Sequence, residues 1–174
     1  MRMKALIIGV QIPKSTRFYG MTSMMLHKSG SSKIQIGANC TFRSLETSNH
    51  LGIHHRCILS AEQENAVIKI GDHCGFSGTT IGSFEKVTIG NHVLCGANTV
   101  ITDSDWHLDD PRSGPIKPVM IHDHVWIGTG SMIMKGVTIG ENSIIGAGSV
   151  VVKDIPANVI AAGNPCKVIR ELSS

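Results

Sequence analysis

Between Val119 and Val152 the chain repeats itself every six residues. Ile121, Ile127, Ile133, Ile139, Ile145 and Val151 stand six apart, and all are β-branched and aliphatic. Four places after each of the first five come Val125, Ser131, Val137, Ser143 and Ser149, which are small or β-branched. Glycine follows the aliphatic residue at Gly128, Gly140 and Gly146. No helix uses this period, because at ~3.6 residues per turn a step of six swings the side chain off its starting face. A hairpin sheet would show plain alternation instead. The pattern predicts a β-solenoid, in which each hexapeptide is one short strand and one tight corner.

Upstream the pattern continues with less regularity. Ile36, Ile53, Ile70 and Ile89 each begin a similar step, with Cys40, Cys57, Cys74 and Val93 four places on. Three hexapeptides make one turn of about eighteen residues. On that spacing one face stacks Ile36, Ile53, Ile70, Ile89, Ile121 and Ile139. A second stacks Phe42, Leu59, Phe76, Cys95, Ile127 and Ile145. Coils ~4.8 Å apart put each of these residues against its own kind.

The chain of 174 residues reads as a single domain, 1–174. A net charge of +3 with no long basic run gives little for nucleic acid to bind. No apolar stretch is long enough to span a membrane. The start, MRMKALIIGV, lacks the length and cleavage site of a signal peptide, so a cytoplasmic location is expected. That start reads as an edge strand on the solenoid end or in a subunit contact. The five cysteines, Cys40, Cys57, Cys74, Cys95 and Cys166, form no CxxC pair and are odd in number. They read as buried structural thiols.

Residues 1–33 read as an irregular N-terminal segment, with loop, irregular turns and room for a short strand over 11–33, and 34–101 as early coils. EQENA at 62–66 reads as a polar corner, Gly78 and Gly82 as tight corners, and 84–86 as a small extension. After Ile101 the register fails: the next aliphatic position, 107, holds a histidine. The segment TDSDWHLDDPRSGPIKP, 102–118, contains prolines and reads as a loop projecting from the coils. Late coils follow over 119–152. The tail 153–174 reads as a cap, a short strand or helix covering the exposed strand edges of the last coil.

Histidine titrates near neutrality, so His107 is the candidate general base of the projecting loop. Asp103 and Asp105 are placed in sequence to orient its ring, and Asp105 is taken with it as a catalytic residue. His73, His92 and His124 share one repeat offset and should form a column with Asn39, Arg56 and Asn142. A straight column does not converge ring nitrogens within ~2.1 Å of one ion. These histidines therefore read as polar corner residues, and no metal site is expected.

The segment WIGTGSMIMKGVTIGENSIIGAGSVVVKDIPANVIAAGNPCKVIREL, Trp126 to Leu172, resembles the hexapeptide-repeat acyltransferases. Among them it is most similar to the galactoside, maltose and exopolysaccharide O-acetyltransferases. The resemblance implies an all-β fold, a left-handed parallel β-helix, assembled as a homotrimer. It implies acetyl-CoA as co-substrate, with the pantetheine arm held by backbone groups of the late coils. The matching positions are Trp126, Gly128, Thr129, Ala147 and Val152, although some relatives have threonine at the last. Lys153, Lys167 and Arg170 are the candidates for the CoA phosphates. A loop histidine before the WIG segment is the family's base, which points to His107. Several relatives read His-Pro there, where this chain has His107-Leu108-Asp109-Asp110-Pro111.

These readings lead first to an O-acetyltransferase acting on a sugar or saccharide. The alternatives are an N-acetyltransferase of a nucleotide-linked amino sugar, a γ-carbonic-anhydrase-like metal enzyme and a catalytically silent assembly solenoid. Serine acetyltransferases carry a helical domain before the coils, and the nucleotide-sugar enzymes often an α/β domain. Neither pattern precedes the coils here, so O-acetylation is preferred.

Overall fold

Three strands and three corners make each turn of the chain. The computed structural model describes residues 10–28 and 30–172. Coil 1 is β1 (Val10–Gln11), β2 (Arg17–Tyr19) and β3 (Ser23–Leu26). Coil 2 is β4 (Lys33–Ile36), β5 (Thr41–Arg43) and β6 (Ile58–Ala61). Coil 3 is β7 (Val67–Ile70), β8 (Gly75–Ser77) and β9 (Thr80–Ser83). Coil 4 is β10 (Lys86–Ile89), β11 (Leu94–Ala97) and β12 (Val100–Thr102). Coil 5 is β13 (Val119–Ile121), β14 (Trp126–Ile127) and β15 (Met132–Ile133). Coil 6 is β16 (Thr138–Ile139), β17 (Ile144–Ile145) and β18 (Val150–Val151), followed by β19 (Val159–Gly163) and β20 (Cys166–Glu171).

Equivalent strands pair in parallel down three sheets. Sheet A holds β1, β4, β7, β10, β13 and β16, and sheet C holds β3, β6, β9, β12, β15 and β18. Sheet B holds β2, β5, β8, β11, β14 and β17, then β19 and β20. The prism interior is three ladders. Ile36, Ile70, Ile89, Ile121 and Ile139 stack on sheet A. Phe18, Phe42, Phe76, Cys95, Ile127 and Ile145 stack on sheet B, with Phe42 and Phe76 rings 4.9 Å apart. Leu59, Ile81, Ile101, Ile133 and Val151 stack on sheet C.

Two expected stack members move. Ile53 is not on the sheet A ladder, and Leu59 lies on sheet C rather than with Phe42 and Phe76. Counting by eighteen took Ile36 to Ile70 as two turns, whereas they are register partners in adjacent coils. The surplus is a second excursion, 44–57, between β5 and β6, with a 3₁₀ turn at Glu46–Ser48. Ile53 is buried beneath it, where a Cβ on Gly78 would stand 3.0 Å from the Ile53 Cβ.

The stretch 11–33, expected as loop, is most of coil 1. Its corner slots hold Thr16, Thr22 and Ser32, all buried and all in the positions of Cys40, Cys57 and Ala66 one coil on. Polar hydroxyls in small-residue slots hid the repeat. The edge strand expected over residues 1–10 lies outside the described residues except for Val10, where β1 (Val10–Gln11) begins. Gly78 is a corner with φ +53°, but Gly82 sits inside β9. The expected cap is a strand: β20 runs antiparallel to β19 on the last edge of sheet B.

The histidine column forms at the corner between sheets A and B. His73, His92 and His124 stack with ring centroids 4.8 Å apart and planes within 3°. All have φ between 56° and 60°, as do their equivalents Asn39 and Asn142. Asparagine and histidine tolerate that left-handed backbone better than most residues. Arg56, expected in the column, instead stands at the corner between sheets B and C, where its Nη1 lies 3.5 Å from Met21 Sδ. Among the described residues no group of three or more His, Cys, Asp or Glu is disposed to hold a metal ion.

Candidate active site

The projecting loop leaves the prism between β12 and β13, at the corner joining sheets C and A. Its root is fixed first. Asp103 is fully buried, and its carboxylate accepts hydrogen bonds from the backbone N–H groups of Phe84, Glu85 and Lys86 and from Ser83 Oγ, at 2.7–2.9 Å. It holds the corner of the coil above and does not face His107. Asp103→Ala strips these donors of their acceptor, and should destabilise the fold by about 2–3 kcal/mol in urea titration.

Trp106 folds back over sheet C. Its Nε1–H donates to Thr102 Oγ1 at 3.0 Å, and its ring meets Phe84 edge-on at 5.2 Å. A Cβ on Gly82 would overlap the indole, so this glycine is a platform for the tryptophan. Asp105 is occupied on the other side, accepting from Gly114 N and from Lys135 Nζ. These donors hold its carboxyl below the ordinary carboxylate range. The pairing is therefore intact at neutral pH and is lost only as pH falls through that depressed value.

His107 follows directly and is exposed at the tip. Its backbone carbonyl accepts from Asp110 N at 3.1 Å and from Ser113 Oγ, while its ring has no partner among the described residues. The expected orientation of His107 by Asp103 and Asp105 is thus not seen within the chain. What Asp105 supplies is the anchorage of the loop that carries His107.

The candidate cofactor positions fall into two groups on opposite edges of sheet C. Trp126, exposed, opens β14 of sheet B, and Gly128, Thr129 and Ala147 lie at the corner between sheets B and C. Glycines keep this edge smooth: a Cβ on Gly96 would stand 2.6 Å from Thr129 N, and one on Gly128 2.5 Å from Ala147 N. Lys167 and Arg170 are exposed on β20, with Arg170 on the same outward ladder as Trp126. Val152 and Lys153 lie at the other edge, at the corner joining sheets C and A, which also carries the His107 loop. A single chain does not bring the two groups together.

Sequence reasoning missed a hollow in the outer face of sheet B. A shallow cavity of about 340 Å³ is lined by Thr41, Arg43, Gly75, Leu94 and Trp126 among others. These residues are remote in sequence and adjacent only because β5, β8, β11 and β14 are consecutive in the sheet.

A family model described as bacterial transferase hexapeptide (six repeats) matches residues 118–153. Galactoside O-acetyltransferase of Escherichia coli (strain K12) is 45% identical over 105 residues, 58% of this chain and 51% of that protein. The chain spans about half the length of the curated relatives it matches. A galactoside acetyltransferase solved in complex with coenzyme A is 30% identical, with a TM-score of 0.54 over 91% of this chain and 66% of that one. AntD, an N-acyltransferase from Bacillus cereus solved with dTDP-4-amino-4,6-dideoxyglucose and coenzyme A, covers 100% of this chain and 90% of its own. At 21% identity and a TM-score of 0.74, AntD shares the fold, a left-handed parallel β-helix. In repeat, fold and relatives alike the chain is similar to the hexapeptide-repeat acyltransferases.

Proposed function

We propose that this protein is an acetyl-CoA-dependent O-acetyltransferase that acts on a hydroxyl of a sugar or saccharide, with His107 as general base. The observation that carries the reading is the placement of His107. Its imidazole is exposed, with no partner among the described residues, on a loop fixed at its root by Asp103 and along its length by the Asp105–Lys135 pair. Similarity to galactoside O-acetyltransferases supports the same chemistry.

Neutral imidazole removes the hydroxyl proton as the sugar oxygen attacks the thioester carbon. The tetrahedral intermediate collapses, the carbon–sulfur bond breaks, and the imidazolium returns its proton to the departing thiolate. Backbone groups at Gly128, Thr129 and Ala147 hold the pantetheine arm along the smooth edge, and Lys167 and Arg170 meet the phosphates. No step needs a metal ion. The split of the site across sheet C supports a homotrimer, in which one copy's His107 loop, Val152 and Lys153 meet its neighbour's Trp126 edge. The described residues contain no helix long and apolar enough to cross a membrane. With this reading go a cytoplasmic location, where acetyl-CoA is supplied, and a role in polysaccharide biosynthesis.

An acceptor screen with acetyl-CoA, following thiol release, tests the proposal. Simple glycosides, nucleotide-linked amino sugars and lipid-linked oligosaccharides are compared. Turnover of saccharide hydroxyls is expected; turnover confined to the amino sugars would replace the reading by N-acetylation.

A further inference from the structure

Sheet B carries cations at both ends and no carboxylate on its strands before Glu171. One outward ladder runs from Arg17 through Thr41, Gly75 and Leu94 to Trp126, and then on to Arg170. At one strand spacing per step, Arg17 lies ~19 Å above Trp126 and Arg170 ~14 Å below it. The lower cations are those assigned to the CoA phosphates. The upper ones are unassigned, and the chain there is one-signed. Among the described residues five lysines and arginines, Lys14, Arg17, Lys28, Lys33 and Arg43, precede the first carboxylate, Glu46.

Arg43 is the fixed member of the upper group. Its guanidinium carbon lies 5.0 Å from the centroid of the Tyr19 ring, and Nη1 donates to the carbonyl of Ser48 at 2.6 Å. Neither partner carries a charge. The ion pairs among the described residues are Arg112–Asp110 and Lys135–Asp105, so no carboxylate neutralises Arg43, not even the nearby exposed Glu46. Arginine has five donors, and one is used here. A guanidinium held in place with its remaining donors open is a receptor for a planar or tetrahedral anion.

The cavity of about 340 Å³ joins Arg43 to Trp126. Gly75 makes its floor: a Cβ there would stand 3.1 Å from Leu94 Cδ2. The volume suits one or two sugar rings, at the low end of small-molecule sites. Its upper wall is cationic, and its lower wall is apolar where the donor edge begins.

We infer that this cavity is the acceptor site and that the acceptor is an anionic saccharide, whose phosphate or carboxylate is bound by Arg43. Arg17, exposed at the head of the ladder, adds longer-range attraction. The inference rests on the transferase reading, which supplies a donor at Trp126. In it, donor and acceptor each place an anion at one end of sheet B and meet near its middle.

The test is isothermal titration of the protein saturated with CoA, so that the donor's phosphate contacts are already filled. Inorganic pyrophosphate and glucuronate are titrated separately. Saturable binding of at least one is expected; pyrophosphate alone assigns a phosphate, glucuronate alone a carboxylate. Arg43→Met should weaken that binding by about tenfold or more. Lys69→Ala, at an exposed lysine on β7 of sheet A, should leave it within about a factor of two. If Arg43→Met fails to fold, Arg43→Lys decides, since it keeps the charge and loses the fork. No saturable binding of either anion, or binding indifferent to Arg43, overturns the inference. Thiol release with neutral methyl glycosides but no anion binding does so while leaving the transferase reading intact. Arg43-dependent anion binding with no thiol release from any saccharide supports the anion site and overturns the transferase reading.

Discussion

Replacing His107 by alanine should lower kcat by a factor of ~10² to 10⁴, the usual contribution of a positioned general base. A sugar hydroxyl loses its proton only at high pH, so without a base the attack on the thioester is slow. The KM for acetyl-CoA should change little, because the donor is read as held by Trp126, Gly128, Thr129 and Ala147, on the far edge of sheet C from the loop. Melting should hardly shift: the His107 ring is exposed and has no partner among the described residues. The pH–rate profile should lose the limb that reports the ionising imidazole. His92→Ala and His124→Ala serve as controls, since their rings stack on one another away from the loop and should leave most of the rate intact. Retention of more than about a third of the parent rate by His107→Ala with the true acceptor would remove His107 from the mechanism. Mixed oligomers give a second readout. If the base reaches a neighbour's donor edge, co-assembled His107→Ala and Gly128→Val chains should recover activity that neither has alone.

Ile139→Asp should destabilise the fold by about 4–5 kcal/mol. Ile139 is fully buried, paired in register with Ile121 and bridged to Ile155. A carboxylate at this site loses the packing of an aliphatic side chain and meets neither a cation nor water. Because each coil contacts only those above and below, the damage should spread along coils 5 and 6 and loosen the cap beneath them. Urea denaturation followed by circular dichroism measures the loss. A soluble variant that melts within a degree or two of the parent would show that the Ile121–Ile139 ladder is not a core.

What was legible in the sequence is what the six-residue period encodes locally. From Ile121 to Val151 each residue's inward or outward direction follows from its place in the hexapeptide, because strand rise and corner length are constant there. The buried Ile121, Ile127, Ile133, Ile139, Ile145 and Val151 lie on sheets A, B and C in rotation, as the period requires. The projecting loop was legible too, since prolines and a histidine at an aliphatic position break the same rule.

Which residues become neighbours across coils was decided by the tertiary structure alone. An excursion adds an arbitrary number of residues to one turn, and every later residue changes its partner above. Thus 44–57 moved Leu59 to sheet C, and Ile36 came to rest on Ile70. Side chains at the corners are freer still. Asp103 and Asp105 stand close to His107 in sequence, yet one turns inward to four donors and the other toward Lys135. Arg43, Gly75, Leu94 and Trp126 are far apart along the chain and form one cavity wall. The period is a property of six consecutive residues and can be read from them. The site depends on the phase between successive turns, which is set by loop lengths and settled only when the coils stack.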